Sequence, residues 1–122
     1  MQGCCAMETK LRDEDGNVVC ERCTLARNPY SRMRGLLGRT GLAQGDGLLL
    51  QPAGSIHTFF MRFPIDAVFL DRERRVVSIA SDVKPWRTAG AKRSRAVLEL
   101  AAGEASRVGL RPGHVLRLEG EK

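Results

Sequence analysis

A chain of 122 residues, 43% hydrophobic and 28% charged, has the balance of one folded domain able to bury a core, which excludes a disordered chain and a bundle of membrane helices. Its longest strongly apolar run, 47–50, falls far short of the roughly 20 residues a spanning helix needs. No apolar segment follows the opening MQGCC, so neither a secretory nor a lipoprotein signal is expected, and the cytoplasm is the expected location.

Residues 1–10 are expected to form an N-terminal extension, with Met7 as an alternative start. Residues 11–122 read as a single β-rich domain, since no repeat, low-complexity tract or long linker divides the chain. Residues 7–13 and 18–26 read as a hairpin around Glu14, Asp15, Gly16 and Asn17, a group rich in residues that tolerate positive φ. Asn28 before Pro29 is a helix start, Met33, Leu36 and Leu37 share one helical face, and Gly41 caps the far end. From residue 47 the texture turns to strands: 47–51, 56–63, 65–71, 76–81, 95–101 and 114–119. A single helical turn is expected over 104–108, and Pro112-Gly113 fits the centre of a type II turn. The expected fold class is mainly β, a small β-barrel or jelly-roll-like sandwich with one short α-helix.

The stretch 55–71, SIHTFFMRFPIDAVFLD, is the densest in apolar residues. Read as a strand, 56–63 places His57, Phe59, Met61 and Phe63 on one face and Ile56, Thr58, Phe60 and Arg62 on the other, both largely apolar. Such a strand is expected to be covered on both sides, with His57 near the mouth of the structure. Pro64 marks an edge or a bend, and Asp66 then sits with Val68 and Leu70 on an apolar face, where an acid requires a partner.

Taken with RMRGLLGRTGL, GDGLLLQP, AVLELAAG and GLRPGHVLRLE, this stretch resembles the successive blocks of the domain-of-unknown-function 192 family over roughly 11–119. Many relatives carry Trp where this chain has Phe60. The resemblance implies a compact β-barrel or jelly-roll-like sandwich with a short helix against it. It implies no catalytic machinery; Met61, Pro64, Asp66, Glu99 and Gly103 fall at the family's motif positions.

Asp66 and Glu99 are the two acids embedded in apolar strands. On neighbouring strands they can form a general acid/base pair, with His57 beside them; the plainer expectation is that each pairs with an arginine such as Arg62 or Arg95, or accepts backbone N–H groups. His57 alone, with His114 in a turn, is expected to be structural. Cys20 and Cys23 have the spacing of a zinc knuckle or redox pair. On a regular strand, however, an offset of three puts their sulfurs on opposite faces, so free thiols are expected and zinc is the lesser reading. No other cofactor is expected. Trp86 reads as a pocket rim or a cap on the core.

The leading expectation is a non-catalytic domain that binds a small molecule or a protein segment at a barrel mouth near His57, Met61, Asp66, Trp86 and Glu99. The alternatives are a small hydrolase-like enzyme using Asp66 and Glu99, and a nucleic-acid module using the net charge of +6. The basic clusters Arg32/Arg34/Arg39, Arg72/Arg74/Arg75 and Lys92/Arg93/Arg95 lack interleaved aromatics, so no base-stacking platform is evident in the sequence.

Overall fold

In the computed structural model, which describes residues 8–26, 42–59 and 61–119, the Asp13 carboxylate accepts the N–H groups of Asp15 and Asn17 at 2.9 Å each while Gly16 adopts φ +88°. This Asx-type turn joins β1 (Glu8–Asp13) to β2 (Val18–Ala26) as the expected hairpin. The chain continues through β3 (Asp46–Leu50), β4 (Ser55–His57), β5 (Ile65–Leu70), β6 (Val76–Val83), β7 (Thr88–Gly90), β8 (Ala96–Ala101), α1 (Glu104–Arg107) and β9 (Leu116–Leu118). The helix read over 28–41 lies outside the described residues. β2 and β3 pair in parallel. No helix among the described residues is long and apolar enough to cross a membrane.

Seven strands form one sheet in the order β6-β5-β8-β3-β2-β1-β9, and β4 and β7 form a second, two-stranded sheet. One face of the large sheet gathers a core of Leu11, Cys20, Leu49, Val68, Leu98 and Leu100, with Ala105 of α1 and Leu110 beyond it. The opposite face of β3, β5 and β8 packs Leu48, Ala67, Phe69 and Val97 beneath Ile56, Met61 and Phe63 of the outer layer. β5 and β8 are therefore covered on both sides, which is why IDAVFL and AVLELA carry apolar residues at successive positions.

The edge strands β6 and β9 meet only at one corner. There Arg75 and Val115 form a single bridge, the Val76 N–H donates to the His114 carbonyl at 2.7 Å and the Leu116 N–H donates to the Arg74 carbonyl at 2.9 Å. With β9 only three residues long, no continuous ladder closes the sheet. The arrangement is sandwich-like and not a closed barrel.

Two local expectations are corrected. The strand read over 56–63 stops at His57, because Thr58 turns its polar groups to the loop 84–87 and its carbonyl accepts the Met61 N–H at 3.2 Å. That turn reverses the alternation: His57 and Phe59 face outward, while Met61 and Phe63 are buried. In β2, Thr9 pairs with Cys23 and Leu11 with Cys20, so one extra residue bulges the strand, and Glu21 and Arg22 are both exposed between two buried cysteines. The bulge cancels the odd offset and brings Cys20 and Cys23 into the same core.

Candidate functional site

Asp66 is 1% exposed and accepts three backbone N–H groups: Asp82 at 2.9 Å on Oδ1, and Gly103 and Ala105 at 3.0 Å each on Oδ2. α1 has no side-chain cap of its own, and Gly103 at its N-terminus adopts φ +92°. Asp66 reaches from β5 to satisfy those amides. Of the plain roles expected for it, acceptance of backbone N–H groups is the one realised, and Arg62 and Arg95 are both exposed.

Glu99 is fully buried. On the neighbouring strand Asp66 pairs with Leu100 and Ala67 with Glu99, so the two carboxylates, one register step apart, point to opposite faces of the sheet. Asp66 belongs to the face of the first core, and Glu99 shares its face with Leu48, Ala67 and Val97. The strands are adjacent, as the acid/base pairing requires, but the side chains are divided by the sheet itself.

Cys20 and Cys23 are free, buried thiols. Cys23 donates to Cys20, and that bond together with burial holds the Cys23 thiol well above the usual range; as acceptor, Cys20 titrates lower. The Cys20 thiol in turn donates to the Gly45 carbonyl at 3.4 Å. Among the described residues no cluster of three or more His, Cys, Asp or Glu converges on a metal position; Cys4 and Cys5 lie outside the described residues.

Beside α1, the Glu104 carboxylate accepts from Arg107 Nε at 2.6 Å and from the Gly45 N–H at 3.2 Å, tying the turn before β3 to the helix. The Arg107 guanidinium holds this carboxyl below its ordinary value. A depressed folded-state value means that the stabilisation is present above the unfolded value of 4.5 and is lost as pH falls through the lower folded one. Thermal melts of Glu104→Gln between pH 6 and about pH 3 are expected to decline less steeply than those of the wild type. Parallel declines would place the acid sensitivity elsewhere.

His57 and Trp86 come together on the outer surface through a residue the sequence did not single out. Phe59 stacks on His57 with ring centroids 4.8 Å apart and planes at 28°, and on Trp86 at 5.7 Å and 25°. The Phe59 N–H donates to His57 Nδ1 at 3.3 Å, which turns the imidazole toward the stack. Phe59 is 37% and Trp86 55% exposed, and they are the exposed large hydrophobic residues among those described. Met61 lies beneath them in the second core.

The display of Trp86 is built by Thr58, which is fully buried. The Thr58 hydroxyl donates to the Lys84 carbonyl at 2.6 Å and accepts from the Arg87 N–H at 2.9 Å. Its N–H donates to the Arg87 carbonyl at 2.8 Å and its carbonyl accepts from the Trp86 N–H at 3.0 Å. Held at both ends, Trp86 adopts φ +66°, a region that bulky side chains rarely occupy. The five residues expected around one mouth thus divide among an outer surface (His57 and Trp86), the second-core side of the sheet (Met61 and Glu99) and a helix cap (Asp66). Phe59 and Trp86 are brought together by the pairing of β4 with β7 and by the bonds of Thr58 just beyond it.

The fold and this surface define a small, mainly β domain that displays an aromatic stack over a doubly covered pair of central strands. The chain belongs to the DUF192 family, whose model, described as "Uncharacterized ACR", matches residues 10–118. It is similar to a protein of unknown function from Novosphingobium aromaticivorans, with 28% identity and a TM-score of 0.76 over 92% of this chain and 84% of that one. It is also similar in fold to a "putative transcription regulator" from Sinorhizobium meliloti, with 23% identity and a TM-score of 0.82 over 98% of this chain and 99% of that one. No curated protein matches the chain.

Proposed function

We propose that the protein is a non-catalytic binding domain whose recognition surface is the His57–Phe59–Trp86 stack. The observation that carries this reading is the exposure of two large aromatic side chains in one stack, with Trp86 held at φ +66° by a buried threonine. Strained backbone that presents an apolar side chain to solvent opposes stability, and such strain concentrates where a chain binds or reacts. Trp is also the residue type most enriched at binding hot spots. The hydrolase-like alternative has less support, since the three amides on Asp66 take three of a carboxylate's roughly four lone-pair sites and Glu99 faces the other way.

Trp86→Gly separates display from packing. Glycine accepts positive φ freely, so the variant is expected to melt at or above the wild-type temperature. Trp86 is the only tryptophan, so an anilinonaphthalene sulfonate dye bound at the stack is expected to take energy from its emission. Dye binding is expected to be lost in Trp86→Gly and in Phe59→Ala. A melting temperature several degrees lower in Trp86→Gly would make the indole a packing residue and end the reading, as would dye binding unaffected by either substitution.

A further inference from the structure

Two segments build the outer layer that carries the stack, 54–65 and 84–95. They hold Arg62, Lys84, Arg87, Lys92, Arg93 and Arg95 and not one Asp or Glu. The other fourteen of the twenty Lys and Arg are matched by the chain's fourteen Asp and Glu, so the net charge of +6 equals the charge of this layer. All six cations are exposed, and among the described residues only Lys84 of the six forms an ion pair, with Asp82 at 2.7 Å just outside the layer.

Arg87 adjoins Trp86, and β7 leads from there to the turn that carries Lys92 and Arg93. Rings that already stack at 4.8 and 5.7 Å present a column that another planar ring can extend. Base faces are open to such a column only when the bases are unpaired, and the phosphates that accompany them meet the cations. An anionic bilayer would also meet the charge. It would be entered by separately projecting apolar rings, however, and here Trp86 is packed in a stack and followed by the exposed and polar Arg87 and Thr88.

Resting on the reading of the stack as a recognition surface, we infer that this face binds single-stranded nucleic acid, a base extending the column on the open face of Trp86, which Phe59 backs, and phosphates meeting the cations of 84–95.

Fluorescence anisotropy of a labelled twelve-nucleotide single strand, against a duplex of equal length, tests this. The single strand is expected to bind at least tenfold more tightly and to quench Trp86 emission, and Phe59→Ala and Trp86→Gly are each expected to weaken it by about tenfold. Arg93→Glu, remote from the stack, is expected to weaken binding and to lower the slope of log affinity against log salt by about one. This variant and the quenching of wild-type Trp86 decide the matter even if a stack variant misfolds. Equal binding of the duplex overturns the inference, as does salt-sensitive binding without quenching, which marks a merely basic surface. Binding to phosphatidylserine vesicles with no retention of the single strand overturns it in favour of a membrane. A dye that binds and is lost in Trp86→Gly, with no retention of the strand, overturns the nucleic-acid class alone; loss of dye and strand together removes the recognition surface as well.

Discussion

Asp66→Ala is expected to lower stability by about 3–5 kcal/mol, the sum of stranding several amides that now donate to a carboxylate. Those amides belong to three places: Asp82 at the end of β6, Gly103 before α1 and Ala105 in its first turn. Both Asp82, at φ +53°, and Gly103, at φ +92°, are backbone conformations that their neighbours must hold in place. Asp66→Asn retains one acceptor oxygen and turns an N–H₂ group toward donors, so at least half of the loss is expected to remain. Urea unfolding followed by circular dichroism measures both. A loss under about 1 kcal/mol for the alanine variant would mean that water replaces the carboxylate and that α1 does not depend on it.

Gly47→Ala is expected to cost about 1–3 kcal/mol through overpacking. A Cβ built at this position lies 2.7 Å from Cys20 Sγ, 2.9 Å from Leu100 Cδ2 and 3.3 Å from the Glu99 carbonyl oxygen. Both side chains are core residues with nowhere to swing. The β2 bulge is what sets the sulfur above Gly47, so Cys20→Ala in the same chain is expected to recover much of the loss. In a double-mutant cycle the pair should couple by about 1 kcal/mol or more. Simple additivity would assign the collision to Leu100 and the backbone instead.

The strands were legible where periodicity and turn chemistry agree. Residues 18–26 are bounded as expected, β5 and β8 lie within one residue of the runs read for them, and Gly113 takes the positive φ of +101° that the Pro-Gly pair implies. β7 was not legible, since Thr88 is followed by Ala89 and Gly90, both depleted in strands, and the three residues form a strand through pairing with β4. The 56–63 run failed for a related reason: its apolar residues are shared between a three-residue strand and a turn, and the side-chain bonds of Thr58 that end it go to residues 26 and 29 positions away. The placement of Asp66 opposite Val68's strand neighbours followed from alternation alone. Its separation from Glu99 by the sheet depends on register, which alternation does not give. The bulge at Glu21 and Arg22 leaves a trace in the sequence, two adjacent charged residues inside an apolar strand, and that trace would have placed the two cysteines together.

The pairing of β9 with β1 joins parts of the chain that are 107 residues apart at the Arg12–Glu119 bond. Closing so long a loop delays the gain in contact energy until most of the sheet stands, which belongs to the slow end of single-domain kinetics, on the order of milliseconds to seconds. β1 thus waits, paired on one side only, for the last strand to arrive. During that interval its second edge is open to any other extended chain, so the rate at which β9 docks also sets how long the folding protein is exposed to self-association.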